Sequence, residues 1–249
     1  MRKIVAVLAL IASLLAGQTV AASEITVLSA GAVEAGLRAA AAAYEKQTGR
    51  VVKTSFETSP QIRARIGAGE TFDVVIVTPA ILDEFVSASK VEKERVTLGR
   101  VGMGVAVRAS APSPDISSVE ALMSSILAAE GLVITRGSSG VFFEGLLKKM
   151  GLYDQVESKL TRYDGGEPAF EHMAMAKDHE LSFGQITEIR LYGGKGVRLV
   201  GPLPAEVQNY TSFAAAAMTG GPNGEAARDF VRYVGSPAGK ALFAAAGVE

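Results

Sequence analysis

Short apolar runs alternate along the chain with stretches in which apolar residues recur every three or four positions. The first run, 25–30, is followed by apolar residues at helical spacing up to Tyr44, and Gly49 ends this predicted helix. The same order recurs at 51–66 and 72–85, where a Ser-Pro and a Thr-Pro pair fit a helix cap followed by the first helical residue. The pattern predicts three strand–turn–helix units in succession.

Continuous apolar strands that alternate with helices are typical of a parallel, doubly wound sheet, because both faces of each strand must be covered. The first part of the chain is therefore predicted to form an α/β lobe. A long β-like run at 96–108 and a Ser- and Pro-rich segment at 110–118 then lead towards a second lobe. There the pattern predicts a strand at 132–135, a Gly-Ser-Ser-Gly loop at 137–140 and a helix at 141–150.

The remaining pattern completes the second lobe and returns to the first, and we expect the two last helices to pack on the first lobe. The predicted elements are a helix at 168–177, strands at 181–184 and 196–200, an extended return segment at 208–218, and helices at 225–233 and 237–246. The fold class is α/β, with lobe I at 23–101 and 209–249 and lobe II at 102–208.

The first 22 residues have the layout of a secretory signal peptide. Arg2-Lys3 precede the apolar stretch 4–17, and small residues follow up to Ala22, after which we place the cleavage site. The apolar stretch is about 14 residues long, whereas a membrane span needs roughly 20. An uncleaved anchor is the alternative, but the pattern favours export to the periplasm.

Composition excludes several classes of function. The 249 residues contain no cysteine, so disulfide scaffolds and thiolate metal sites are excluded. Lys and Arg number 25 against 26 Asp and Glu, and no basic run is long enough to follow a phosphate backbone. Nucleic acid is therefore not expected as a partner.

Small polar turns follow three of the predicted strands, at the positions where an α/β sheet binds ligands. Helix N-termini at these turns offer unpaired N–H groups and a partial positive charge, which suit an anion. Ser59 and Ser139 are alternatively plain capping residues. Arg136, next to the third turn, fits either a bidentate contact to a carboxylate or phosphate or a surface ion pair. The candidate residues at these turns are Ala30, Gly31, Ala32, Thr58, Ser59, Arg136, Ser138, Ser139 and Gly140.

The sequence offers little for catalysis and predicts no cofactor and no metal site. It contains only two histidines, His172 and His179, and has neither a Gly-x-Ser-x-Gly elbow nor a phosphate-loop lysine. Glu167, at a predicted helix start, would accept a ligand hydroxyl or act as a base, or it is an ordinary acidic residue of a first helical turn.

Four segments carry a resemblance to a known family. They are ITVLSAGAVEAGLRAAAAAYEKQTG, SFETSPQIRARIGAGETFDVVIV, FFEGLLKKMGLYDQV after the Gly-Ser-Ser-Gly turn, and PAEVQNYTSFAAAAM. This pattern resembles the periplasmic molybdate-binding proteins of ABC importers over nearly the whole chain beyond residue 22. The resemblance implies the type 2 periplasmic binding fold, in which two α/β lobes, joined by a two-strand hinge, close over a tetrahedral oxyanion. The hinge would fall near 99–105 and 207–213.

The resemblance also assigns positions in the binding site. The ligand serine of the family's first turn falls on Ala32, which has no hydroxyl, whereas the second-turn serine is kept as Ser59. The backbone donor of the second lobe falls at Ser139, a further contact falls near Glu167, and the family's ligand tyrosine falls on Gln185. An oxyanion oxygen left without a partner loses a bond worth about 1.5–3 kcal/mol. Arg136 and Gln185 would suit a planar carboxylate instead.

The sequence thus predicts a monomeric, non-enzymatic receptor that delivers a small anion to an ABC permease in the inner membrane. The anion is either molybdate or tungstate, or a small organic acid. The alternative is an isomerase, since periplasmic aconitate isomerases are similar to this family, and Glu167 or His172 would then be the base. A sensor subunit that signals through the closed form is a third possibility.

Overall fold

The computed structural model describes residues 24–249, and the predicted signal peptide lies outside them. The strands are β1 (Ile25–Ala30), β2 (Val52–Glu57), β3 (Val74–Val77), β4 (Val91–Arg108), β5 (Gly131–Thr135), β6 (Leu160–Tyr163), β7 (Glu180–Gln185), β8 (Val197–Pro202) and β9 (Tyr210–Met218). The helices are α1 (Glu34–Thr48), α2 (Ser59–Gly67), α3 (Pro79–Ser87), α4 (Val119–Ala128), α5 (Ser138–Lys149), α6 (Tyr153–Val156), α7 (Gly166–Met175), α8 (Ile186–Leu191), α9 (Gly224–Gly235) and α10 (Pro237–Ala245). None of these helices is long and apolar enough to cross a membrane.

Lobe I is built on strands in the order β2-β1-β3-β9-β4. Strand β1 runs parallel to β2 and β3, and β9 runs antiparallel to both β3 and β4. The strands read as continuous apolar runs because they are covered by helices, as the fully buried Val74–Val77 illustrate. The C-terminal helices α9 and α10 contribute Phe230 and Phe243 to the same core, as predicted.

Lobe II continues from β4 through β7, β5 and β6, with β8 also paired to β4. Strand β5 runs parallel to β6 and β7, whereas β4 is antiparallel to β7 and β8. The rings of Phe143 and Phe183 stack with their centroids 3.8 Å apart inside this core. Each lobe therefore has a separate hydrophobic core, which allows one lobe to move as a body relative to the other.

The chain passes between the lobes twice. Strand β4 pairs with β9 up to Gly102 and with β7 from Met103 onward, so the first passage lies inside one continuous strand. The second passage lies between β8 and β9. There the Gln208 side chain joins the second passage to the first. Its Oε1 accepts from Met103 N–H at 2.9 Å, and its Nε2 donates to Met103 O at 3.0 Å. Two adjacent crossings of this kind form the two-strand connection that the resemblance implies.

Several sequence predictions need correction. The first lobe's sheet is not purely parallel, because the crossing strands β4 and β9 run antiparallel to their neighbours. The Gly-Ser-Ser-Gly segment is not a loop: only Gly137 is extended, and Ser138–Gly140 form the first turn of α5. The Ser- and Pro-rich segment 110–118 is not the crossing, since Ala111 already belongs to the core of lobe II. Helices α4 and α8 and strand β6 were not predicted.

Candidate functional site

A cleft between the lobes contains a small inner pocket with a cavity volume of about 30 Å³. The turns after β1, β2 and β5 and the end of β7 meet there, because the carboxyl ends of the strands face the cleft. The pocket is lined by Ala30, Gly31, Ala32, Glu57, Thr58, Ser59, Thr135, Gly137, Ser138, Ser139, Gln185, Glu188 and Phe213. This lining contains hydroxyls, amides and two carboxyl groups but neither lysine nor arginine.

On the lobe I side, the N-terminus of α2 presents Ser59. Thr58 caps this helix, donating from its hydroxyl to Gln61 Oε1 at 2.7 Å and from its N–H to the same oxygen at 2.9 Å. The cap therefore uses the hydroxyl of Thr58 but leaves that of Ser59, which is only 5% exposed and has no hydrogen-bond partner among residues 24–249. The Ser59 hydroxyl is therefore available to bind a ligand in the pocket.

On the lobe II side, the N-terminus of α5 presents Ser138 and Ser139. The first-turn N–H groups of a helix have no partner inside the helix, and they carry the positive end of its dipole. The Ser139 side chain is 3% exposed, and within residues 24–249 no hydrogen bond uses its hydroxyl. Gly140 packs this turn onto β5 so closely that a β-carbon there would overlap the carbonyl oxygen of Thr135.

Gln185 ends β7 at the floor of the pocket and is 3% exposed. Its Nε2 donates to Thr211 Oγ1 at 2.9 Å, and its Oε1 is buried with no partner in the described part of the chain. A half-turn of the amide would let Oε1 accept from the Thr211 hydroxyl and would direct the NH₂ group to the pocket. In that orientation Gln185 would offer a further neutral donor to an anion.

Glu188, on α8, lies where the inner pocket meets the outer part of the cleft. It is partly buried, and its carboxyl group has no hydrogen-bond or ion-pair partner among the described residues. A β-carbon on Gly31 would overlap Oε1 of Glu188, so the carboxyl group lies directly against this turn of lobe I. Burial, assisted by the charge of Glu34, raises the pKa of Glu188 to about 7. At this pKa, the Glu188 carboxyl group changes between its protonated and ionised forms near neutral pH.

The lobes approach each other on both sides of the pocket. The hydroxyl of Thr187 donates to the carbonyl oxygen of Ala32 at 2.5 Å, which joins α8 of lobe II to the turn after β1. A β-carbon on Gly137 would lie 3.4 Å from Thr58 Cγ2 of lobe I. The cleft is therefore closed around the inner pocket.

An outer chamber with a cavity volume of about 640 Å³ continues from the inner pocket and shares Gly31, Glu57, Thr58 and Glu188 with it. Most of its carboxylates are paired with cations. Glu34 binds Arg38 at 2.8 Å, Glu57 binds Arg65 at 3.3 Å, and Asp164 binds Arg136 at 3.1 Å.

The structure brings eight of the eleven predicted site residues together in the inner pocket, namely Ala30, Gly31, Ala32, Thr58, Ser59, Ser138, Ser139 and Gln185. The other three lie elsewhere. Gly140 packs against β5, Glu167 lines the outer chamber, and the side chain of Arg136 is 61% exposed in its ion pair and lines neither cavity. A surface ion pair, one of the two roles considered for Arg136, is the one observed.

His172 also lies outside both cavities. Its Nδ1 is 2.7 Å from the Tyr163 hydroxyl, and its Nε2 is 2.7 Å from Glu180 Oε2. No group of three or more metal-ligating residues is found among residues 24–249.

Sequence reasoning missed Glu57, Thr135, Gly137, Glu188 and Phe213 as lining residues. A usable signal existed for Glu188. The segment after β7 follows the same strand–turn–helix order as the three turns that were recognised, with Ile186 and Ile189 at helical spacing. Helix α8 has only six residues, so its periodicity alone is weak.

Three comparisons with known proteins agree with this geometry. Residues 25–249 match the model of a family described as bacterial extracellular solute-binding protein. An aconitate isomerase from Pseudomonas sp. is 32% identical over 231 residues, which cover 90% of this chain and 86% of that protein.

Two solved structures share the fold. The periplasmic molybdate-binding protein of Azotobacter vinelandii superposes with a TM-score of 0.75 at 18% identity, over 90% of this chain and 98% of that one. The sulfate-binding protein SubI of Mycobacterium tuberculosis superposes with a TM-score of 0.73 at 18% identity, over 91% and 86% of the two chains. With its two α/β lobes closed around an inner pocket, this chain belongs to the bacterial extracellular solute-binding protein family.

Proposed function

We propose that this protein is a receptor that captures a small organic acid between its lobes and delivers it to an ABC permease. The observation that carries the proposal is the continuity of the two cavities. The inner pocket offers hydroxyls and helix N-termini to one anionic group, while the outer chamber has room for the rest of the molecule. A free tetrahedral oxyanion would fill only the inner pocket.

The lining of the inner pocket also favours a carboxylate over molybdate or tungstate. The resemblance to molybdate-binding proteins implies a serine hydroxyl where this pocket has Ala32 and a tyrosine where it has Gln185. A planar carboxylate has two oxygens to satisfy instead of four. The donors of Ser59, Ser139 and Gln185 are enough for it.

We further propose that the protein acts in the periplasm as a monomer. The family match describes extracellular proteins, and residues 1–22 have the layout of a signal peptide cleaved after Ala22. Closure over the ligand would give the permease a form that differs from the empty, open receptor.

Isomerisation of an unsaturated tricarboxylate is a second candidate, and Glu188 is the observation that favours it. A carboxyl group with a pKa of about 7 at the edge of a ligand pocket is suited to general acid–base catalysis. It would remove a proton from one carbon of the ligand and return it to another, so no cofactor is needed. The 32% identity to an aconitate isomerase supports this candidate. Glu188 replaces Glu167 and His172 as the base, because neither of those lines the inner pocket.

A ligand screen separates these candidates. Binding to the purified protein is measured by titration calorimetry and by thermal stability. The ligands are cis- and trans-aconitate, citrate, succinate, molybdate, tungstate, sulfate and phosphate. A ligand at 100 times its Kd stabilises the protein by about 2.7 kcal/mol. Binding of a carboxylate that is recovered unchanged in its NMR spectrum supports the receptor. Interconversion of the aconitates supports the isomerase. Binding of molybdate and tungstate alone contradicts both.

A further inference from the structure

Glu188 poses an electrostatic problem for any anion receptor. Its carboxyl group lines both the inner pocket and the outer chamber, so a ligand that occupies the two must pass beside it. No lysine or arginine lines the inner pocket to offset a second negative charge. Two carboxylates about 4 Å apart at the effective dielectric of a protein surface repel each other enough to weaken binding roughly a thousandfold.

The Glu188 carboxyl group lies close to the backbone of both lobes. Oε1 of Glu188 lies against Gly31 of lobe I, and a β-carbon on Gly166 would be 3.3 Å from it. Helix α8 is fixed to lobe I by the bond from Thr187 to the carbonyl oxygen of Ala32. The carboxyl group is therefore held between the lobes in the closed form.

We propose that Glu188 enters the ligand complex as the neutral carboxylic acid and donates its O–H to an oxygen of the bound carboxylate, so that above neutral pH, where the empty site is ionised, the receptor takes up one proton with each ligand. This inference rests on the proposed function, since it concerns the same pocket. The proton comes from hydronium or from the buffer acid, whose bond to hydrogen breaks as the O–H bond of Glu188 forms, and no other bond changes. The site would therefore prefer ligands with an ionised acceptor oxygen beside Glu188.

The other charged groups near Glu188 do not supply this proton. Burial, with the surrounding carboxylates, raises the pKa of Tyr192 to about 12. Glu34 forms an ion pair with Arg38, and Glu57 forms one with Arg65. The groups around Glu188 are Glu34 and Arg38 of α1, Glu57 of β2, Asp164 and Glu167 at the start of α7, and Tyr192 and Lys195 after α8.

The cost of protonation is small compared with the repulsion. For a group whose pKa is about 7, protonation weakens binding about twofold at pH 7 and about tenfold at pH 8. Because burial raises the pKa, the proton is already bound at pH 6. Ligand affinity should therefore be constant below about pH 6 and fall about tenfold per pH unit above pH 7.

Titration calorimetry with trans-aconitate, and with each other carboxylate that binds in the screen, tests the inference. Wild-type protein is measured from pH 6 to pH 8.5, and at pH 8 in both HEPES and Tris, whose ionisation enthalpies differ. The enthalpy difference between the buffers gives the number of protons taken up. We expect close to one proton per ligand at pH 8 and close to none at pH 6.

The variant Glu188→Gln tests whether Glu188 is the group that binds the proton, because the glutamine amide donates a hydrogen bond at every pH. This variant should show no proton uptake and a flat pH profile, and at pH 8 it should bind about tenfold more tightly than wild type. Glu130→Gln, at an exposed carboxyl outside both cavities, should behave as wild type.

The outcomes separate this inference from the proposed function. Carboxylate binding without proton uptake, or uptake that persists in Glu188→Gln, overturns the inference and leaves the receptor function standing. If no carboxylate binds at any pH, the result contradicts both the proton uptake and the proposed receptor function. The wild-type buffer comparison decides the question even if the variant does not fold.

Discussion

At the scale of single residues, the inner pocket relies on donors that carry no charge of their own. Ser59 and Ser139 are buried serines from different lobes, and neither hydroxyl has a partner among residues 24–249. Sequence alone could not separate them from ordinary capping serines, because a capping hydroxyl and a ligand-binding hydroxyl have the same sequence signal. Only the pocket geometry shows that Thr58 makes the cap and leaves Ser59 available.

Ser59→Ala and Ser139→Ala are each expected to weaken carboxylate binding. A hydrogen bond to a charged group contributes about 1.5–3 kcal/mol, which corresponds to roughly ten- to a hundredfold in Kd. Calorimetric titration of each variant measures the effect. Ser158→Ala, at an exposed serine of lobe II, is the control and should leave Kd unchanged. Unchanged affinity in both pocket variants would exclude the inner pocket as the binding site.

At the scale of elements, the important feature is the junction between β5 and α5. The sequence predicts a strand, a polar turn and a helix there, and the strand and the helix exist, but the helix takes up most of the predicted turn. It does not predict that the helix begins at Ser138, because serine and glycine are poor helix formers. The helix begins there because Gly140 fits against the backbone of Thr135, which is a contact between elements and not a local preference.

Gly140→Ala is expected to destabilise the protein and to weaken ligand binding, because the added methyl group would push the first turn of α5 away from β5. Overpacking of this kind costs about 1–3 kcal/mol. Gly145→Ala is a matched control on the same helix, since a β-carbon there meets no atom within 4 Å. It should stabilise the protein by up to about 1 kcal/mol through helix propensity.

Chemical denaturation of both variants, together with their Kd for a carboxylate, measures these effects. Equal stability of the two variants would show that the close contact of Gly140 does not position the helix terminus.

At the scale of the whole molecule, closure depends on few contacts between the lobes. The hydrogen bond from Thr187 to Ala32 O joins α8 to lobe I, and Gln208 holds Met103 where the chain crosses between the lobes. Short-range patterns cannot reveal these contacts. The Thr187 bond joins residues 155 positions apart, and the Gln208 bonds join residues 105 positions apart.

Thr187→Val removes the hydroxyl at nearly constant volume and leaves the carbonyl oxygen of Ala32 unpaired in the closed form. An unpaired buried acceptor costs about 1–3 kcal/mol, whereas opening exposes it to water. We therefore expect a larger radius of gyration without ligand in solution scattering, and carboxylate affinity reduced on the order of tenfold. Thr161→Val, on the exposed side of β6, should change neither quantity. If Thr187→Val has the radius of gyration and the carboxylate Kd of the wild type, this hydrogen bond does not stabilise the closed form.

The sequence by itself determined the α/β class, the order of the strand–turn–helix units and the turns that carry Ala32, Ser59 and Ser139. These features depend on residue periodicity and turn chemistry, which are local. Only the tertiary structure decided that eight predicted residues share one pocket, that Arg136 faces Asp164 instead, and that Glu188 stands between the lobes. The physical reason is that pockets, ion pairs and pKa values depend on which distant segments pack together, and a hydrophobic pattern specifies only that a face is buried, not what covers it.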